Sequence, residues 1–580
     1  MPSFAISRPG AAVIGVGLLA LAAGAALVGS GGGQASAAGK NSAVAAYLSG
    51  RVAQGAGDWS RAAELISEAL KADPKNPELL RRAFLLHLGE GDGHAAADLA
   101  RRLAEQDQPS FIAATLLVAD DLVSGRTKEA QARAAKMPEE GLGRYAGPLV
   151  GAWADVAAGD SDKALMRIQP VGQVAGFAPL LQLESALIED LRNKPEAARV
   201  WYDKLIESGA PLRVVQLVGN FYERTGHLEE AKSLYERYRA ASGDNPATEA
   251  ALARVAKGEV PKRLVPGAKE GMAEVVFGLA AALNQENSAD LALLYARISL
   301  MLAPEQPLAQ LLVGDVLAAR DRHEDALRIF SAIKADSGMT WTARMRQAET
   351  LRQLGRTEPA AKLLESMAAE RSQRTDALVR LGDLYRSANQ NDKALSAYDR
   401  AVQRVKDPKQ NDWLLFYARG IALDAVKRWP DAEKDLKRAL ELNPQQPHVL
   451  NYLGYSWLEH GGDLNEARAL IEKAVKISPN DGYFLDSLGW AKFRAGDNEG
   501  ALKDLERAVQ LKPMDPAIND HLGDVYWALG QHILARFQWS RAAQEAEEAD
   551  LKKSVEEKLK REIPVRRTAE RLPEAPSTPQ

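Results

Sequence analysis

One small residue returns at nearly constant distance along this chain. Ala62, Ala96, Ala130, Ala164, Ala198, Ala231, Ala292, Ala326, Ala360, Ala394, Ala432, Ala467, Ala501 and Ala535 are separated by 34, 34, 34, 34, 33, 61, 34, 34, 34, 38, 35, 34 and 34 residues. A register held for so long requires a repeated structural unit, each copy stacking on the next. The one long interval falls across "GEVPKRLVPGAKEG", residues 258–271, where Pro, Gly and basic residues break the pattern and predict a linker or a degenerate repeat.

The unit itself reads as a helical hairpin. In "ALVRLGDLYRSANQNDKALSAYDRAV", residues 377–402, Leu378, Leu381, Gly382 and Tyr385 fall at helical spacing. After a polar turn Ala394, Leu395, Tyr398 and Ala401 do the same. Gly382, Ala394 and Ala401 are small where two helix axes must approach, and Tyr385 and Tyr398 are expected to fill the space between layers. Pro74, Pro304, Pro444, Pro479 and Pro513 stand where second helices should end, because proline cannot continue the hydrogen-bond ladder.

The order Leu-Gly, Tyr, Ala, aromatic, Ala and Pro at this period resembles the tetratricopeptide repeat over roughly residues 43–545. The clearest copies are "LGDLYR", "YLGYSW", "SLGWAKF" and "HLGDVYW". The resemblance implies an all-α solenoid, a right-handed superhelix of stacked hairpins whose first helices line a concave groove.

With 74 basic and 78 acidic residues the formal net charge is -4, which disfavours a general nucleic-acid binder. There is no cysteine, so disulfides, thiol catalysis, cysteine-based zinc sites and lipid attachment through a cysteine are excluded. The N-terminus carries one cation, Arg8, followed by the uncharged stretch "AAVIGVGLLALAAGAALV" at residues 11–28. It reads as an export segment. Ala35-Ser36-Ala37 offers a small-x-small site for cleavage before Ala38, yet the apolar core is also long enough to remain as a membrane anchor. In both cases Arg8 stays cytoplasmic and the repeats face the periplasm. The expected organisation is a signal peptide or anchor at 1–37, a first array at 38–257 and the interruption at 258–271. A second array at 272–545, a capping helix at 546–563 with Leu551, Val555, Leu559 and Ile563 on one face, and a tail at 564–580 complete it.

Chemistry-bearing patterns are missing. The eight histidines form no His-Glu-x-x-His pair or other metal spacing. "SAIK", residues 331–334, matches a Ser-x-x-Lys nucleophile motif by letters only, and "GSGGG" at 29–33 follows no strand. The expectation is a non-catalytic protein with no cofactor and no metal.

Binding is the remaining task. Residues of the first helices facing away from Leu453/Gly454, Leu488/Gly489 and Leu522/Gly523 are expected in the groove: Tyr417, Asn451, Tyr455, Asp486, Trp490, Phe493, Arg494, Asp520, Asp524 and Trp527. That surface is aromatic and acidic, suited to a protein partner. Trp490, Phe493 and Trp527 fit equally a packing role between hairpins. Some tetratricopeptide grooves clamp a C-terminal carboxylate with Lys and Asn; the three aspartates have the wrong sign for that.

"WLLFYARGIAL", "VLNYLGYSW", "DGYFLDSLGW" and "INDHLGDVYWALGQ" further resemble the C-terminal halves of large exported tetratricopeptide proteins of proteobacteria. One lipoprotein of that wider group is an adaptor that binds and activates a carboxyl-terminal processing protease and brings it peptidoglycan hydrolases. The resemblance implies a periplasmic scaffold whose partners are such a protease or cell-wall enzymes, although a chain without cysteine is not a lipoprotein. The alternative is a structural component of an envelope assembly, export or polysaccharide-synthesis complex.

Overall fold

The computed structural model describes residues 34–562 apart from 107–109, 175, 208, 244 and 336, with side chains from residue 42 onward. The apolar segment 11–28 and the tail 564–580 therefore lie outside the described residues, as does Ile563 of the capping face. Among the described residues there are thirty α-helices and no strand.

The first are α1 (Gln34–Gly55), α2 (Trp59–Ala72), α3 (Pro77–Glu90), α4 (Gly93–Glu105), α5 (Phe111–Val123) and α6 (Thr127–Ala134). Next come α7 (Gly143–Ala157), α8 (Ser161–Ile168), α9 (Ala178–Leu191), α10 (Pro195–Leu205), α11 (Leu212–Arg224), α12 (Leu228–Ser242) and a lone α13 (Pro246–Lys257). Pairing resumes with α14 (Ala268–Gln285), α15 (Ala289–Leu302), α16 (Pro307–Ala319), α17 (His323–Ser331), α18 (Thr340–Gln353) and α19 (Thr357–Glu370). Then follow α20 (Asp376–Ser387), α21 (Asn391–Arg404), α22 (Trp413–Ala425), α23 (Trp429–Leu442), α24 (Pro447–His460) and α25 (Leu464–Ile477). The last are α26 (Gly482–Arg494), α27 (Asn498–Leu511), α28 (Pro516–Ala528), α29 (His532–Glu545) and α30 (Ala549–Leu559). The chain divides into two compact units, parting at Leu363 and Leu364 within α19.

Two local devices repeat. The turn between the helices of each hairpin contains one residue with positive φ, from Gly57 and Gly91 to Gly496 and Gly530, with Asn193, Asn287, Asp321, Asn389 and Lys427 in the same place in five hairpins. These residues keep the 34-residue rhythm because a left-handed step is what turns the chain back on itself. The second device is a seat. A Cβ on Gly219, Gly314, Gly382 or Gly523 would run into the ring of Tyr235, Phe330, Tyr398 or Trp539, in each case sixteen residues further on. Leu436 and Leu505 fill the seats at Gly420 and Gly489. The absent side chain on the first helix thus makes room for the large one on the second, and Tyr398 and Trp539 become fully buried.

In the unit of residues 34–363, α14 packs on α7 and α5, and α15 on α3 and α5. These are first helices, so the face that an open array presents as a groove is filled by the chain's own later hairpin. Trp153 on α7 is fully buried against Gly271 on α14, and its Nε1–H donates to Glu184 Oε2 on α9 at 2.7 Å. Arg213 on α11 pairs with Glu274 on α14, Nε to Oε2 at 3.0 Å, and Gln306 donates to the other oxygen at 2.9 Å. Further along, Arg297 donates to the carbonyl of Gly89 at 3.1 Å and Arg322 pairs with Glu90.

Residues 258–267 run without helix between α13 and α14, and residues 268–271, which the sequence pattern groups with the interruption, already belong to α14. Asn220 donates to the carbonyl of Lys262 at 2.8 Å, Arg263 reaches Asp190 at 3.3 Å, and Val265 is buried. The segment is thereby tied to α9 and α11.

The buried carboxyl at the centre of this closure has a measurable consequence. Burial, opposed by the Trp153 hydrogen bond and aided by the nearby Glu274 charge, pushes Glu184 from 4.5 up to about 8. The folded state therefore holds a proton that the unfolded chain releases, and stability falls as pH rises from about 4.5 to 8, by at most ~1.4 kcal/mol per pH unit. Glu184→Gln keeps an acceptor for Trp153 and removes the titration. Denaturation of this unit at pH 5, 6.5 and 8 is expected to give a flatter dependence for the variant; parallel curves for variant and parent would assign the effect elsewhere.

Candidate functional site

The ten groove candidates lie on four successive first helices of the second unit: Tyr417 on α22, Asn451 and Tyr455 on α24, Asp486, Trp490, Phe493 and Arg494 on α26, and Asp520, Asp524 and Trp527 on α28. Asp481 and Asp515 start the last two helices, each accepting from two backbone N–H groups. Each helix then presents residues three before and one after its seat glycine on the same side, which is how Asn451, Asp486 and Asp520 come to share a column.

The structure separates these residues into distinct clusters. On α26 and its neighbours, Asp486 Oδ1 lies 2.9 Å from His521 Nδ1, and the His521 ring stacks on Trp490 with centroids 4.2 Å apart and planes at 16°. Burial works against a charged His521 ring, but Asp486, Asp520 and Asp524 together outweigh it and raise its pKa. Trp490 also touches Phe493, centroids 5.3 Å apart, and its Nε1–H points at Glu459 Oε1 from 3.4 Å. Arg494 is exposed, with a guanidinium nitrogen 3.8 Å from the same Glu459 oxygen. Tyr455 is half-buried; burial and the Asp486 charge lift its phenol above the ordinary range.

The cluster on α28 is closed by the chain itself. Lys558 Nζ on α30 sits 2.8 Å from both oxygens of Asp520 and 2.7 Å from Asp524 Oδ2. Even so, burial raises the Asp520 pKa. Trp527 lies against Trp539 at 5.3 Å and His532 at 4.3 Å, with the Arg561 guanidinium 5.9 Å above its ring. Arg536 holds the end of α30 by donating to the carbonyls of Leu559 at 2.6 Å and Arg561 at 3.1 Å, and Val555 is fully buried. Tyr417 stands apart, between Trp413 at 6.2 Å and Tyr452 at 6.0 Å, its phenol pushed up to about 12 by burial. Asn451 is buried, and its Oδ1 accepts no hydrogen bond from the described residues.

Sequence reasoning missed His521, Glu459 and Lys558. His521 was within reach, since it follows directly on Asp520, the residue one repeat beyond Asp486. Lys558 was not, because a lysine on a charged capping helix looks like any solvated cation. Among the described residues no group of His, Cys, Asp or Glu is placed to hold a metal ion, and no helix is long and apolar enough to cross a membrane.

Stacked helical hairpins with seat glycines and left-handed turns in fixed register define a helical-repeat protein. Tetratricopeptide-repeat models match residues 47–117, 345–411, 417–482 and 489–530, so these stretches are tetratricopeptide repeats, a class of repeat whose arrays are protein-interaction scaffolds. It is 31% identical over 182 residues to a TPR repeat-containing protein of Pseudomonas aeruginosa, a stretch that makes up 31% of this chain and 30% of that one. It is 28% identical over 169 residues to the human protein O-mannosyl-transferase TMTC1, covering 29% of this chain and 19% of the relative. The chain thus spans less than a third of the length of either relative. Among solved structures, MamA aligns at 20% identity over 29% of this chain and 94% of its own, with a TM-score of 0.26. YrrB, a TPR protein with an unusual peptide-binding site, aligns at 16% over 34% and 99%, with a TM-score of 0.27. A tetratricopeptide repeat protein from Parabacteroides merdae aligns at 15% over 49% and 96%, with a TM-score of 0.32.

Proposed function

We propose that this protein is a periplasmic, non-catalytic adaptor that recruits an envelope protease of the carboxyl-terminal processing class, or its cell-wall substrates, through the first helices of its second unit. The observation that carries this reading is the half-buried aromatic run Tyr455, Trp490 and Phe493 beside the exposed Arg494, on helices whose groove face is not filled by other helices of that unit in the way α14 and α15 fill the first. Aromatic and arginine side chains that are partly desolvated before binding are the usual anchors of protein interfaces. Asp520 and Asp524 are already paired with Lys558, so the partner surface is aromatic with an exposed arginine, Arg494, beside Glu459. The export segment and the C-terminal phrases resembling exported proteobacterial proteins support the compartment and the partner class.

The test is affinity capture and titration of an envelope processing protease with the parent chain and with Trp490→Ala/Arg494→Glu, both checked for helicity. Loss of one hot spot of ~2 kcal/mol lowers affinity by ~30-fold, and the double variant is expected to lose at least that much. Undiminished binding would move the partner site to another surface.

A further inference from the structure

Among the described residues, the first helix of the array has an uncovered side. Gly50 occupies the seat position on α1, with Ile66 against it sixteen residues later. Two residues after that position, later first helices carry Phe221, Val316, Leu384, Ala491 and Val525, all between 0% and 4% exposed. They are covered because the register faces the preceding hairpin, as α27 packs on α28 and α25 on α26. Val52 holds this register on α1 and is 72% exposed, and Leu48 and Val44, one and two turns earlier, are 56% and 58% exposed. An apolar stripe at i, i+4 and i+8 therefore lies where a preceding hairpin would sit, whereas the other end of the array is closed by α30. Terminal repeats of solenoids normally present a polar outer face, so the stripe calls for an occupant.

The surrounding sequence says which. No acidic residue occurs before Asp58, while Arg8, Lys40 and Arg51 are cationic. Uncharged apolar residues fill 11–28, and residues 29–33 alone separate them from α1. Such a linker spans at most ~18 Å, and Leu48 lies ~21 Å along the helix from Gln34. A membrane that holds 11–28 is therefore within reach of the whole stripe. A second copy on the same face would set Arg51 against its own equivalent, an arrangement that like charge opposes. We propose that α1 lies in the plane of an anionic lipid surface, with Val44, Leu48 and Val52 entering the acyl boundary and Arg51 at the headgroups. This rests on the reading in which the N-terminal segment stays as an anchor.

The chain has no cysteine, so Val44→Cys, Leu48→Cys and Val52→Cys each give a single labelling site, with Met166→Cys, 68% exposed on α8, as reference. The full chain is placed in phosphatidylethanolamine–phosphatidylglycerol vesicles with an environment-sensitive fluorophore at each site. The three α1 labels are expected to lose most of their iodide quenching and to gain quenching by spin-labelled lipid, while the label at 166 stays open to iodide. Iodide access undiminished at all three overturns the proposal. So does protection without vesicles accompanied by a doubled mass, which assigns the face to a second copy. A mature N-terminus at Ala38, read by mass spectrometry of protein from cells, defeats the anchor reading alone; that form, added to the same vesicles, is then judged by the same labels.

Discussion

Trp153→Ala will open the first unit. The indole is fully buried, fills the space beside Gly271 and supplies the hydrogen bond to Glu184, so its removal combines a cavity with a buried carboxyl left without its donor. A loss of ~3–5 kcal/mol is expected. The stretch that should respond first is α14 with α7 and α9, the helices that Trp153 joins, seen as faster amide exchange there before the rest of the unit changes. Trp153→Phe keeps most of the packing and loses the donor, for a smaller cost of ~1–3 kcal/mol. A variant with unchanged melting temperature and unchanged exchange in α14 would mean that closure of the groove does not depend on this side chain.

Lys558→Ala is expected to release the cap. Asp520, Asp524 and Lys558 are all largely buried, and removing the shared cation leaves two carboxylates facing each other in a place that already disfavours the charged form of Asp520. Breaking a buried pair in this way costs ~3–5 kcal/mol. The sign of the pH dependence follows from the raised Asp520 pKa. The folded state holds the Asp520 proton more readily than the unfolded chain, so the deficit of the variant should shrink as pH falls through the range in which Asp520 protonates. Amide exchange of α30 and α28 at pH 7 and pH 4 reads this directly. An equal deficit at both values would point to lost packing of the lysine stem instead.

What could be read in the sequence was what each hairpin decides for itself. The alanine register predicted the hairpins because small residues at the crossing and a left-handed turn five or six residues earlier are both local requirements, and Gly57 through Gly530 follow the alanines from Ala62 to Ala535. The interruption at 258–271 was visible as composition, but its path beside Asn220 and Asp190 was not. Nor was the closure of the first unit, since Gly89 and Arg297 meet only because an array curves, and curvature accumulates over many repeats without any residue announcing it. The groove candidates lie on the first helices of four hairpins. Their partners, His521 and Lys558, come from the next repeat and the capping helix, and one-dimensional spacing does not reveal whether a carboxylate already has a cation.

The closure of the first unit also bears on the order in which the chain acquires structure. An open array grows hairpin by hairpin, each new copy needing only its predecessor. Here α3, α5 and α7 are complete by Ala157, yet the helices that cover them begin at Ala268. A chain emerging N-terminus first, from a ribosome or through a membrane channel, exposes those apolar faces until the later hairpin arrives. That interval is when the nascent protein most needs a chaperone, and a stall between residues 157 and 268 would leave a sticky, half-built product.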